Sequence, residues 1–164
     1  MLKIKFNPFI LRYLFSSKNR ELCKSCKRYG TKATCPPYIE SMDYYKKLLP
    51  TYKNGLLIIG KYLIDNNRNW VALGKTSSQD ILEVLWKERE TLINNGKFPI
   101  IFGAGSCKIC IDNCSAICKH PDKSAIPIEA TGINVLALAE IVANIIIEFP
   151  VKETFYRVGM LLWD

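Results

Sequence analysis

Histidine is almost missing from this chain: His120 is the only one in 164 residues. A lone histidine is more often a surface residue than a ligand. No Ser-His-Asp set can be read, and no glycine run has the spacing of a phosphate loop or a dinucleotide fingerprint. Paired carboxylates suited to acid–base work are not evident. No apolar stretch is clean enough to span a bilayer; the longest, 133–149, carries Asn134, Glu140, Asn144 and Glu148. The start, 1–15, is basic and apolar, but Pro8 and Arg12 interrupt it and no small-residue cleavage site follows, so it does not read as a secretory leader. The expectation is a cytoplasmic protein without a membrane segment. Internal repeats, low-complexity tracts and a second domain are absent as well. Residues 1–164 are expected to form one domain, long enough for a real core. With 49% hydrophobic and 23% charged residues the chain is globular rather than disordered.

What the chain does have is cysteine. Seven is an odd number, so the thiols cannot all pair as disulfides. In a reducing compartment, clustered cysteines mean metal or catalysis. Four of them follow one another as Cys107-x2-Cys110-x3-Cys114-x3-Cys118, then Lys119, His120 and Pro121. Two-cluster ferredoxins hold iron–sulfur clusters with a related run, in which one gap is a residue shorter and proline follows the last cysteine directly. A regular helix would set Cys107 and Cys118 about 16 Å apart, too far for one compact centre. The stretch is therefore a loop wrapped on a cluster, or its last cysteine serves another centre. The lead-in Gly103-Ala-Gly105-Ser favours tight turns. The remaining three cysteines follow the pattern Cys23-x2-Cys26-x2-Tyr29-Gly30-x4-Cys35-Pro36-Pro37. Gly30 permits a reversal that returns Cys35 to the first two, and Pro36 keeps Cys35 out of helical geometry.

The formal net charge is +8. A nucleic-acid surface is the usual reading of such a balance. Two clusters would lower it to roughly +5, taking one four-thiolate and one three-thiolate cubane. Lys24, Lys27, Arg28, Lys32, Lys108, Lys119 and Lys123 lie beside the cysteines, where they can offset cluster charge or meet an acidic partner. Nucleic acid is therefore not the expected partner.

Between the cysteine segments the pattern is that of an α+β fold: a small sheet with packed helices. Asn7-Pro8 reads as a helix start, with Phe9, Ile10, Tyr13 and Leu14 on one face. Pro37 opens a helix to about Leu49, with Met42, Tyr45 and Leu49 inward. Residues 56–64 read as a buried strand and 70–73 as another, joined by a hairpin loop at 65–69. Thr76-Ser-Ser-Gln79 has the capping-box pattern, starting a helix over 77–94 with Ile81, Leu85 and Leu92 inward and a Glu83–Lys87 pair outside. Residues 98–102 form a short strand into the cysteine loop. A long helix is predicted from Gly132 to Glu148, with Val135, Leu138, Val142, Ile145 and Phe149 on its apolar face. Residues 155–162 are the last strand. The expected order is β-β-α-β-(Cys loop)-α-β, with the first cysteine segment folded over one end.

The two cysteine segments, together with Ile128-Glu129-Ala-x-Gly132-Ile133, resemble a family of predicted metal-binding proteins, a domain of unknown function found in anaerobic bacteria and archaea. The resemblance covers the middle and C-terminal portions of the chain. It implies metal or iron–sulfur binding by Cys23, Cys26, Cys35, Cys107, Cys110, Cys114 and Cys118. It implies no reaction and no role for Glu129.

Two 4Fe–4S clusters take about eight ligands if every iron is held by the protein. Seven thiols leave one iron for solvent, substrate, a partner's ligand or His120. In the local arrangement Cys107, Cys110, Cys114 and Cys118 share one cluster, and Cys23, Cys26 and Cys35 hold the incomplete one. In the interleaved arrangement Cys118 joins the first three. Zinc counts as well: seven thiols and one imidazole fill two tetrahedral sites. The close spacing of the second segment is unlike a zinc ribbon, whose two C-x2-C knuckles lie far apart, and favours iron–sulfur. Three roles follow: electron transfer or cluster and sulfur handling with a redox or metalloenzyme partner; a small iron–sulfur enzyme or maturation factor using the open iron; or a zinc-stabilised binding module.

Overall fold

In the computed structural model, residues 1–64, 70–110, 114–148 and 150–164 are described. Strand β1, Leu2–Phe6, is followed by a 3₁₀ turn at Pro8–Tyr13, and helix α1 by Ser17–Glu21. Helix α2 is Met42–Leu48, strand β2 Asn54–Leu63 and helix α3 Trp70–Asn94. Strand β3 is Ile100–Gly103, β4 Ile126–Pro127, helix α4 Val135–Ala143 and strand β5 Thr154–Trp163. The five strands make one mixed sheet in the order β1-β2-β5-β3-β4, antiparallel except for the β3–β4 pair. The fold is α+β.

The sheet is covered on both faces, and the period of two decides which side chains go where. Leu57, Ile59, Val158, Met160 and Leu162 face Leu11, Tyr45, Leu49 and Leu138. Leu56, Ile58, Leu161 and Trp163 face Ile81, Leu82 and Leu85 of α3. This double covering explains why β2 reads as an unbroken apolar run. It also explains Gly159: a Cβ there would lie 2.6 Å from Ile81 Cγ2 and 2.9 Å from Leu85 Cδ1, so α3 packs directly on the backbone.

Several expected elements differ. Residues 70–73 are the first turn of α3, not a strand. The buried stripe Leu73, Ser77, Ile81 and Leu85 repeats every fourth residue, so the helical period starts earlier than the serines suggest. Ser77 and Ser78 do not cap the helix; their hydroxyls donate back to the Gly74 carbonyl at 3.4 and 2.9 Å. The hairpin loop expected at 65–69 lies outside the described residues. Among the described residues Glu83 and Lys87 form no ion pair, and α3 is tied to the edge strand by Lys3 Nζ on Glu88 Oε1 at 2.6 Å. Strand β1 was not anticipated; its alternating lysines suit an edge strand.

Helix α2 starts at Met42 rather than Pro37, because the Ser41 hydroxyl accepts from the Tyr44 amide at 3.2 Å and sets the first turn there. Asn7 does cap a helical turn, accepting from the Phe9 amide at 3.0 Å, but the turn is 3₁₀. The long helix expected over 132–148 is the much shorter α4. Asn134 caps its start, accepting from the amides of Leu136 and Ala137, and Asn144 ends it in the left-handed region at φ 53°. Phe149 lies outside the described residues. Among the described residues no helix is long and apolar enough to cross a membrane.

Candidate metal centre

The first thiol group is built by turns. A 3₁₀ turn at Leu22–Ser25 carries Cys23, and the Cys26 amide donates to the Cys23 carbonyl at 3.1 Å. Gly30, at φ 66°, reverses the chain, and its amide donates to the Pro36 carbonyl at 2.9 Å. This returns Cys35 toward Cys23 and Cys26. All three line one cavity of about 520 Å³. Cys35 is only 7% exposed, and burial, with the neighbouring Cys23 and Cys26 adding to it, pushes its thiol up to about 11.

The segment is tied to the fold from behind. Residues 14–16 pair with 132–134: the Ser16 amide donates to the Gly132 carbonyl at 2.9 Å and the Asn134 amide to the Leu14 carbonyl at 2.8 Å. The Arg20 guanidinium donates to the carbonyls of Ala130 and, at 2.8 Å, Glu40. These bonds set α1 and the cysteine turn that follows it against the turn Ile128–Thr131, which carries Glu129 into the same cavity. Gly132 closes that turn at φ 99°, and a Cβ there would lie 2.7 Å from Met42 Cγ.

The second group sits in an irregular loop between β3 and β4. Cys107, Cys114 and Cys118 all bear electrostatically on Cys110, whose thiol is raised by desolvation first and by those three next. The loop is anchored to α3 by Trp86 Nε1 donating to the Lys123 carbonyl at 3.0 Å. Residues 111–113, inside the loop, are not among those described. His120 is exposed, and its carbonyl accepts from the amides of Lys123 and Ser124.

The two groups adjoin. The Ala33 amide donates to Cys114 Sγ at 3.4 Å, and Lys32 Nζ donates to the Cys110 carbonyl at 3.1 Å. Within the first group the Arg28 amide donates to Cys26 Sγ at 3.5 Å. Amide bonds to sulfur favour the thiolate. Cations crowd the junction. Lys108 is held below its ordinary value by partial burial and by the nearby Arg28, Arg157 and Lys32. Among the described residues no three Cys, His, Asp or Glu side chains are grouped closely enough to hold a single metal ion.

Glu129 and Arg157 complete the cavity's polar end. Burial raises the Glu129 carboxyl, while its own backbone amide, Arg157 and the Gly105 amide pull it back down. Arg157 is lowered by burial and raised by Glu129 and Tyr62. Sequence reasoning singled out Glu129 but missed Arg157. The available signal was a lone charge inside the apolar strand Phe155-Tyr-Arg157-Val-Gly-Met-Leu-Leu-Trp163. Arg20 gave no signal, because its partners are carbonyls distant in sequence.

The two adjoining cysteine-rich segments, with cations gathered on them, form the candidate metal-binding region of the chain. The family model of predicted metal-binding proteins (DUF2284) matches residues 12–163, and the chain belongs to that family. Comparison with curated proteins and with solved structures gives no match.

Proposed function

We propose that the protein holds two 4Fe–4S clusters, one on Cys107, Cys110, Cys114 and Cys118, the other on Cys23, Cys26 and Cys35. The observation that carries this reading is the pair of adjoining thiol groups, four and three, with Arg28, Lys32, Lys108 and Arg157 bearing on one place between them. Such a concentration of like charge is unfavourable unless anionic centres sit beside it. Thiols spread around a cavity suit a polynuclear centre, in which each iron takes one thiolate, better than one tetrahedral zinc. Clusters of this kind supply one-electron transfer, and an iron without a thiolate supplies an exchangeable coordination position.

The chain's own residues do the rest. The amides of Arg28 and Ala33 donate to cysteine sulfurs, which stabilises the thiolates. The cations offset cluster charge. The second group lies on a surface loop where Ile117, 84% exposed, stands beside Lys119. An exposed apolar residue among cations fits transient docking of an acidic redox partner. The cavity beside the three-thiol group supports the second reading, a small enzyme or maturation factor. The test is an absorption spectrum with metal and sulfide analysis on anaerobically purified protein. The expected result is a brown protein with about eight iron and eight sulfide per chain. Colourless protein with stoichiometric zinc overturns it.

A further inference from the structure

The cavity lies where the sheet opens. Strand β5 is paired with β2 along its whole length, as far as Leu63 opposite Thr154. Its pairing with β3 stops at Phe102 opposite Met160. Beyond that point β3 turns away through Gly103–Ser106, and the half of β5 from Phe155 to Val158 borders the void instead of a strand. Crevices beyond strand ends, where neighbouring segments diverge, are where sheets commonly take ligands. At about 520 Å³ the void is within the range of small-molecule sites, about 300–1,000 Å³.

Its lining mixes apolar and charged groups. Val135 and Phe155 are among the apolar ones, and Glu129 and Arg157 are the oppositely charged pair. These two bear on each other electrostatically but are not within ion-pairing distance among the described residues. Arg157 is fixed rather than free to reach its counter-charge. Its Nε donates to Ser77 Oγ and one Nη to the Gly74 carbonyl, both at 3.3 Å, and its guanidinium lies 4.6 Å from the Phe155 ring centre. The other Nη borders Gly105 on the cavity wall and has no hydrogen-bond partner among the described residues. The cation bearing on Cys23 is Arg20, not Arg157. A half-buried guanidinium with a free edge facing a void, and with no carboxylate within ion-pairing distance among the described residues, favours an anion there.

We propose that this cavity binds a small organic carboxylate with an apolar body, the carboxylate on the free edge of Arg157 and the body along Val135 and Phe155. The site stands on the fold's own groups and goes beyond the choice of metal. The three thiols open into the same cavity, so a bound acid lies next to whatever they hold.

The test is calorimetric titration of the anaerobically purified, metal-loaded protein with benzoate and, separately, with benzyl alcohol. Saturable benzoate binding at one site per chain, and at least about tenfold weaker binding of the alcohol, is expected. Arg157→Gln should weaken benzoate by roughly tenfold or more. Val135→Phe narrows the apolar part, leaves both charges in place, and should also weaken it. This second variant keeps the test decisive if Arg157→Gln does not fold. Absence of saturable benzoate binding, equal affinity for the alcohol, or undiminished binding in a folded variant overturns the proposal. Metal content measured on the same samples separates this outcome from the cluster assignment: zinc with intact benzoate binding overturns only the latter.

Discussion

The two thiol groups carry the same donor atoms in different surroundings. The three-thiol group is folded by a glycine reversal onto the fold, with Cys35 buried, Cys23 half-buried, Cys26 exposed and a cavity in front of them. The four-thiol group lies on a loop whose neighbours Ile117, Lys119 and His120 face solvent, and its thiols are all half-buried. The first group is graded from interior to surface and borders a void; the second is uniform in exposure. A void beside a thiol group offers room for a further ligand, whereas an exposed loop offers an approach for a partner.

Metal removal should have the largest effect. Among the described residues both segments are built largely of turns, so bonds through a bound metal would add to their order, on the order of 10 kcal/mol. Limited proteolysis after complete chelation should cut in 103–127 quickly. It should cut in 22–37 more slowly, because the Gly30–Pro36 bond and the Arg20 contacts remain. Equal rates would erase the distinction between the groups.

Single cysteine variants sharpen the comparison next. Cys35→Ala should remove the metal of the first group, about half the total, and leave the resonance spectrum of the second. Cys118→Ala should do the reverse. If Cys118→Ala abolishes the first group's signal, the ligands are interleaved and the contrast drawn above is wrong.

Below these come changes in the scaffold. Gly159→Ala should cost roughly 1–3 kcal/mol in urea unfolding, since Ile81 and Leu85 must shift. It should affect both groups alike, because it lies in the shared sheet. Arg20→Ala should cost about 1 kcal/mol and act on one side only. Faster cleavage in 22–37 with 103–127 unchanged is the expected pattern.

The smallest effect is alkaline. Tyr45 packs behind the first group, and burial pushes its hydroxyl up to about 12, against an ordinary value of 10.0. The folded chain then holds a proton that the unfolded chain releases. The contribution is complete below about pH 10 and is lost as pH rises through about 12. Tyr45→Phe should flatten that part of the stability curve, followed by chemical unfolding of the metal-free protein.

Legibility followed the range of the forces. The Asn7 cap, the inward Tyr45, Leu49, Ile81 and Leu85, and the reversal at Gly30 rest on residues a few positions apart, and all were readable. The start of α3 was missed because a short apolar run does not distinguish strand from helix. Asn134 and Asn144 were read as lying within one long helix from Gly132 to Glu148. They are the caps of a short one, a choice made by the pairing of 132–134 with 14–16.

By itself the sequence determined the inventory: seven thiols in groups of three and four, the cations among them, and the α+β class. These depend on composition and on spacings along the chain. Only the tertiary structure decided that the groups adjoin, that the shorter one faces a cavity, and that Arg157 and Glu129 meet there. Each of those facts joins residues far apart in sequence, as Ala33 with Cys114, Arg20 with Ala130, or Glu129 with Arg157. No local pattern encodes them, because it is the packing of both sheet faces that carries α1, the cysteine loop and the half of β5 beyond its pairing with β3 to one place.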